Sequence, residues 1–261
     1  MRSLSIVKYY RKIIYGATCY GIGAACRSGR DTLILEPGIH PGGEFADTFN
    51  PGRFWTHPLR TAQARAFRSE LEERGALNGK AFHLPALIPA LCRLILEQEL
   101  EIRLNHSVIS VAPDGLNLRV RAAAPEGECE FLTASFTDTW SLPEGKLIGK
   151  SLNAAVHACG DAAPPEIAGF MPGAFPGEGY LRFPVAGDCT YPDARLQLEQ
   201  FWRNRPAGAG SWNITGTAMR FELKAVKNAE KISPSHIRVF SGSFNHAAAA
   251  LDAGFSGEVE L

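Results

Sequence analysis

An apolar run, Ile13-Ile14-Tyr15, opens directly into a glycine-spaced segment, Gly16-Ala17-Thr18-Cys19-Tyr20-Gly21. Small residues follow through Ala25, and a second apolar run, Thr32-Leu33-Ile34-Leu35, ends on a single acid, Glu36. Few folds accept this order. A short run with no polar face is what a strand buried on both sides of a parallel sheet requires, and parallel strands need a crossover helix between them. The stretch therefore reads as a βαβ unit: a strand over 12–15, a helix from Gly21 to about Arg27, and a strand over 32–35. Gly29 is expected to end the helix as a left-handed cap. Glycine inside a helix costs about 1 kcal/mol against alanine, so Gly21 and Gly23 predict a helix backbone pressed close to the sheet.

The spacing of Gly16, Thr18 and Gly21 is that of G-x-G-x-x-G, with threonine at the middle position. The first glycine reverses the chain out of the strand, the middle small residue admits a pyrophosphate, and the last lets helix and strand pack. The helix start offers free N–H groups and partial positive charge to phosphates. Glu36 stands 20 residues after Gly16, where an acid at the end of the second strand accepts hydrogen bonds from ribose hydroxyls. An acid there repels a 2′-phosphate, which disfavours NADP and leaves NAD and FAD both open.

Residues 37–58 form a Pro/Gly-rich loop carrying Phe45, Phe49, Phe54 and Trp55, which predict a packed loop beside a ligand. Helices are expected over 60–77 and 85–99. A third parallel strand is expected at 101–104. Segments 107–111, 116–122 and 128–134, separated by Pro113-Asp114-Gly115 and Pro125-Glu126-Gly127, predict a three-stranded antiparallel meander that returns to the sheet through 135–139. Further on, 192–203 and 244–253 read as helices and 214–223 as a strand, while 159–180 shows no period. The expected fold class is α/β: a three-layer FAD/NAD(P)-binding Rossmann-like domain with a parallel sheet and an antiparallel β-meander crossover. It would span 12–140, with a reduced substrate or cap region over 141–261 whose C-terminal part packs on the first domain.

The 27 basic and 27 acidic residues cancel, which argues against a general nucleic-acid or membrane-surface binder. No apolar stretch is long enough to span a bilayer, and the basic start lacks the features of a signal peptide, so a cytoplasmic protein is expected. Six scattered cysteines without a Cys-x-x-Cys pair predict reduced thiols rather than a disulfide framework or a zinc site.

The segment Tyr15 to Ala25, followed by Glu36-Pro37 and by His40-Pro41-Gly42-Gly43, resembles the FAD-dependent oxidoreductase family with a glutathione-reductase-like flavin domain. Many members carry threonine where Thr18 stands, and Asp138-Thr139 matches the family's step at the end of the returning strand. The resemblance covers about 12–140 and is looser over 190–255. It implies FAD as cofactor, with Gly16, Ala17, Thr18, Cys19 and Gly21 along the pyrophosphate and Glu36 on the adenosine ribose. Gly42 and Gly43 would pass close to the cofactor, Val108 would meet the adenine through its backbone, and Asp138 and Thr139 would flank the far side of the diphosphate.

The expected activity is transfer of a hydride or two electrons between a small organic substrate and bound flavin, with an electron acceptor the sequence does not name. Rival expectations are an NAD-dependent dehydrogenase, against which the Gly42-Gly43 loop and the meander count, and a non-catalytic remnant that binds FAD without turnover. His40 and His57 flank the Gly/aromatic loop and are candidate acids or bases. Arg53 is a candidate for a substrate carboxylate or a phosphate. Cys19 reads either as a redox-sensitive thiol at a helix N-terminus or, more simply, as a small residue packed against the cofactor. His157 and Asp161 stand four residues apart and suggest a polar contact, and Gly160-Asp161 resembles a flavoprotein Gly-Asp step. No metal-ligand spacing is present.

Overall fold

Strand β1 (Lys8–Tyr15) lies at the middle of the larger sheet because its central residues have no polar face to offer: Ile13 and Ile14 are both fully buried, on opposite sides. In the computed structural model, which describes residues 7–142, 144, 147–160, 162–205 and 207–258, it is followed by α1 (Cys19–Ser28) and β2 (Thr32–Leu35). Next come α2 (Gly43–Ala46), α3 (Ala62–Glu73), α4 (Leu87–Glu97) and β3 (Glu101–Arg103). The meander is β4 (Ser107–Asp114), β5 (Asn117–Ala124) and β6 (Gly127–Asp138). A second group holds β7 (Leu147–Ala158), β8 (Phe170–Pro172), β9 (Glu178–Pro184), α5 (Tyr191–Arg203), β10 (Trp212–Thr217) and β11 (Glu222–Ala225). The last elements are β12 (Ala229–Ser233), β13 (His236–Val239) and α6 (Ala247–Ser256).

The larger sheet runs β12-β13-β6-β1-β2-β3, and β13, β6, β1, β2 and β3 are mutually parallel. Alternation sorts its side chains into two cores. Ile14 and Ile34 meet the helices, while Ile13, Leu33 and Leu35 meet the meander residues Leu118, Val120 and Phe131. Each full burial of such a side chain contributes about 1.5–3 kcal/mol. β6 belongs to both layers: one edge carries β1, and the other carries β5 along its first half and β13 along its last three residues.

The smaller sheet is antiparallel, in the order β10-β7-β9-β8, with β11 also on β7. Its outer face holds Leu152, Ala154 and Val156 against Ala194, Leu198 and Trp202 of α5. Residues 214–223 are not one strand. The chain leaves the sheet between Thr217 and Glu222, and β10 and β11 dock separately along β7, after a register shift at Ile214/Gly216.

Several local expectations change. The helix expected at 85–99 is a 3-10 turn (Leu84–Ala86) followed by α4, with Pro89 in the first turn of α4, where its missing N–H costs nothing. Gly29 does take a positive φ, 82°, but with ψ −167°, which is not the left-handed helical cap. Gly21 meets the strand as expected: a Cβ there would stand 2.3 Å from the Gly16 carbonyl oxygen. Gly23 does not serve the sheet. A Cβ on it would stand 2.4 Å from the Leu251 carbonyl oxygen of α6. In the 37–58 loop, Phe45 and Trp55 are buried, whereas Phe54 is 55% exposed and holds φ 59°.

Candidate functional site

The start of α1 is best described by where its N–H groups go, since the first amides of a helix have no partner within it. The Gly16 N–H donates to the Leu35 carbonyl (2.7 Å), which ties the turn to the end of β2 and holds Gly16 at φ 101°. The Ala17 N–H donates to Glu36 Oε2 (2.6 Å) and the Cys19 N–H to Glu44 Oε1 (2.6 Å). The Tyr20 N–H donates to Ser241 Oγ (3.3 Å), and the Gly21 N–H to the capping hydroxyl of Thr18 (3.0 Å). The Thr18 hydroxyl in turn donates to Thr139 Oγ1 (2.8 Å), which lies 2.8 Å from the Tyr15 carbonyl oxygen. Threonine at the middle position of the turn thus does what glycine cannot: it caps α1 and binds the end of β6.

Two carboxyl groups converge on these amides. Glu36 is 1% exposed and accepts from Ala17 and, at Oε1, from the Gly38 N–H (2.6 Å). Burial pushes its pKa up to about 7, and the two N–H donors oppose that rise. Glu44 is also buried. Desolvation raises its pKa, against the opposing Cys19 N–H and Ser241 hydroxyl. Its Oε1 accepts from both; its Oε2 has no hydrogen-bond partner among the described residues. A cavity of about 260 Å³ adjoins this point, lined by Thr18, Glu44, Thr139, Trp140, Arg220 and Phe240 among others.

The other residues singled out from sequence divide into those near the turn and those away from it. The Gly42 N–H donates to the Ala17 carbonyl (2.9 Å), and Gly42 (φ 73°) and Gly43 lead into α2 directly beneath the turn. Asp138 and Thr139 lie beside it, Asp138 Oδ1 accepting from the N–H groups of Trp140 and Ser141. Val108 sits next to a bulge in β4, its backbone within hydrogen-bonding reach of the Tyr15 phenol. His40 fixes the loop: its Nε2 is 3.0 Å from Asp47 Oδ1 and its Nδ1 3.0 Å from the Pro41 carbonyl oxygen.

Of the remaining candidates, Cys19 belongs to the turn itself and the others do not donate to or accept from its amides. His57 is exposed and stacked on Phe54, close enough to the buried His246 to lower that residue's pKa, after desolvation and Arg68. Arg53 is half-buried; desolvation, then Arg182, lowers its pKa. The reactive reading of Cys19 is overturned: the thiol is fully buried, and burial with Glu44 alongside pushes its pKa well up, so the thiolate that reactivity requires is disfavoured. His157 is exposed, and Asp161 lies outside the described residues.

Three groups of functional interest were not found from the sequence. Glu44 and Ser241 are brought together across 197 residues. Asn153, Arg182 and Glu222 form a buried polar cluster between α2 and the smaller sheet, with Arg182 2.5 Å from Glu222 and Asn153 donating to Glu222 and to the Thr48 carbonyl. The third is a cavity of about 400 Å³ whose walls include Phe49, Leu84, Ile88, Ala155, Phe175 and Tyr180. There Glu178 Oε1 accepts from the Tyr180 hydroxyl (2.7 Å) and faces His83 Nδ1 (2.8 Å), and the Tyr180 oxygen accepts from the Leu84 N–H (3.1 Å). The only hint was the Glu178-x-Tyr180 alternation, which puts both side chains on one face of a strand.

The residues fit a dinucleotide, with one side chain to be moved. The glycine turn, the small-residue helix and the acid at the end of β2 are in the required relation. Each oxygen of Glu36 accepts one N–H and keeps a lone pair for a ribose hydroxyl. The Thr18 N–H, at the helix start, has no hydrogen-bond partner among the described residues. Glu44 is the exception, because its carboxyl oxygen already holds the Cys19 amide.

No protein-family model and no curated protein sequence matches the chain. Solved structures do. The p-nitrophenol 4-monooxygenase PnpA from Pseudomonas putida DLL-E4 superposes with TM-score 0.61 at 12% identity, over 97% of this chain and 82% of that one. The myxobacterial chondrochloren halogenase CndH, described as a variant of FAD-dependent halogenases, gives 0.60 at 11%, over 97% and 76%. Aklavinone-11 hydroxylase, solved with FAD and aklavinone, gives 0.56 at 15%, over 96% and 62%, so this chain spans less than two thirds of that enzyme. At such identities the likeness speaks for architecture, and the architecture is clear: this chain has the FAD-binding Rossmann-like fold of those flavoproteins.

Proposed function

We propose that the chain binds FAD with its diphosphate at the start of α1 and oxidises a small organic molecule. The observation that carries this reading is the Gly16 turn hydrogen-bonded to the end of β2, with Glu36 beside it, in a fold shared with flavin-dependent hydroxylases and halogenases. In this reading Glu36 holds the adenosine ribose, the backbone from Gly16 to Cys19 and Gly21 takes the diphosphate, and Asp138 and Thr139 close its far side. Gly42 and Gly43 give the cofactor close passage, and Val108 meets the adenine through its backbone. When bound, FAD supplies the redox step, accepting a hydride or two electrons.

The chain's own part is binding, orientation and exclusion of water. The cavity of about 400 Å³ is of a size and apolar character suited to a small ligand. There His83, held by Glu178, offers its second ring nitrogen to a substrate polar group. Arg53, beside Arg182, is the candidate for a substrate carboxylate.

The visible spectrum of protein reconstituted with FAD tests the reading. A bound-flavin spectrum that is lost in Glu36→Ala, with the fold intact, supports it; colourless protein that binds NAD overturns it in favour of a dehydrogenase. A second reading, FAD binding without turnover, is favoured by the positions of His40 and His57, one engaged with Asp47 and the other on the surface. Anaerobic bleaching of the bound flavin by a panel of reduced substrates separates the two.

A further inference from the structure

Helix N-termini bind anions because unpaired N–H groups and the helix dipole point the same way. At α1 that position already has a carboxyl group of the chain's own. Glu44 leaves α2 and enters the turn, where its Oε1 accepts from the Cys19 N–H (2.6 Å) and from the Ser241 hydroxyl (2.8 Å). Ser241 at the same time accepts from the Tyr20 N–H, so one carboxyl oxygen gathers two successive amides of α1, the second through a hydroxyl. Glu44 is 9% exposed, and its other oxygen has no hydrogen-bond partner among the described residues while lining the cavity shared with Thr18 and Thr139. An unsatisfied buried carboxyl oxygen is costly, and it belongs to a residue that lines the cavity at the start of α1.

We propose that the Glu44 carboxylate is the resident anion of the α1 N-terminus and sets the affinity of this chain for dinucleotides: a diphosphate reaches the Cys19 amide only by displacing it. The inference rests on the nucleotide-binding reading of the turn, and not on which dinucleotide binds. The groups facing Glu44 hold its charge by hydrogen bonds, from the Cys19 N–H, the Ser241 hydroxyl and the Cys19 side chain, and not by a paired cation among the described residues. Cys19 on α1 is a buried thiol, Glu36 at the end of β2 is a second acid, and Glu222 on β11 is a third. On its own segment, Asp47 is paired with His40. Among the described residues the one cation lining the cavity, Arg220, lies over the Trp140 ring at 3.9 Å. A diphosphate and an ionised Glu44 would therefore share one pair of amides with like charge, an arrangement that is disfavoured where water is excluded.

The test is titration of ADP, which carries the adenosine diphosphate without flavin, against the whole chain and its Glu44→Gln and Glu44→Ala variants, by calorimetry at neutral pH. Glu44→Gln keeps an oxygen for Cys19 and Ser241 and removes only the charge; near-ultraviolet circular dichroism establishes that each variant is folded. Both variants are expected to bind ADP at least about tenfold more tightly than the parent. A gain is a readout that a merely structural role cannot produce, since loss of a structural contact weakens binding. Unchanged, weaker or undetectable ADP binding by folded Glu44→Gln overturns the inference. Parallel titration with FAD separates it from the functional reading. A gain for ADP with no FAD binding leaves Glu44 as the resident anion and removes the flavin assignment; tight FAD binding by the parent with no gain in either variant does the reverse.

Discussion

Gly23 of α1 and Gly254 of α6 face each other where the two helices cross. A Cβ on Gly23 would stand 2.4 Å from the Leu251 carbonyl oxygen, and one on Gly254 would stand 2.3 Å from the Tyr20 carbonyl oxygen. Both contacts are backbone, which cannot turn aside as a side chain can. Gly254→Ala is therefore expected to destabilise the fold by about 1–3 kcal/mol, as overpacking does. Chemical denaturation of the variant checks this, and an unchanged midpoint would show that the helices have room to separate.

Arg182 and Glu222 form a second such dependence, electrostatic in kind. Glu222 is 3% exposed and receives Arg182 and the Asn153 amide. Removing one partner of a buried pair strands the other's charge, at about 3–5 kcal/mol. Arg182→Met should lower the urea midpoint sharply, and Arg182→Met combined with Glu222→Leu should recover part of that loss.

Stability should fall as pH rises through a defined window. Folding raises the Glu36 pKa from its ordinary 4.5 to about 7. Between those values the folded chain keeps a proton that the unfolded chain gives up. The stabilisation is complete below the ordinary value, declines across the window and is gone above about pH 7, a change of at most about 3 kcal/mol. Glu44, shifted in the same direction, adds to it. Urea midpoints for the parent and Glu36→Gln at about pH 5 and about pH 8 measure this, and the variant should show the smaller difference.

The Tyr180 hydroxyl links Glu178 to the Leu84 N–H. Tyr180→Phe leaves that N–H without a partner and Glu178 Oε1 with His83 alone, at a cost of about 1–3 kcal/mol. Thermal denaturation gives the size. An unaltered melting temperature would mean that water replaces the hydroxyl.

Thiol labelling of the native protein should modify Cys92 and Cys159, which are exposed, and spare Cys19, which is buried with a raised pKa. Peptide mass analysis reads the pattern. Early labelling of Cys19 would show that the turn opens in the native state.

The βαβ unit was legible because both its signals are local: apolar runs fix the strands, and the glycines fix the turn. The meander was legible for the same reason, through Pro113-Asp114-Gly115 and Pro125-Glu126-Gly127. What escaped reading depends on contacts distant in sequence. Gly23 looked like a sheet contact because nothing in the sequence announces that Leu251 lies over it. Glu44 carried no signal, since its partners come from Cys19 and from Ser241, 197 residues on. Residues 214–223 looked like one strand because a departure from a sheet edge leaves the alternation on either side intact. The Glu178, His83 and Tyr180 grouping joins His83 to a carboxylate 95 residues on and has no motif.

The Tyr20 amide and the Ser241 hydroxyl that accepts from it are separated by 221 residues. On the ribosome, the turn at residues 16–21 emerges long before β13, Ser241 and α6, so α1 must wait with one apolar flank uncovered and one amide unmet. Assembly of the site is thus a late event in synthesis. A cut between the two sheets would not release two self-sufficient halves, because the final segment is a structural part of the first.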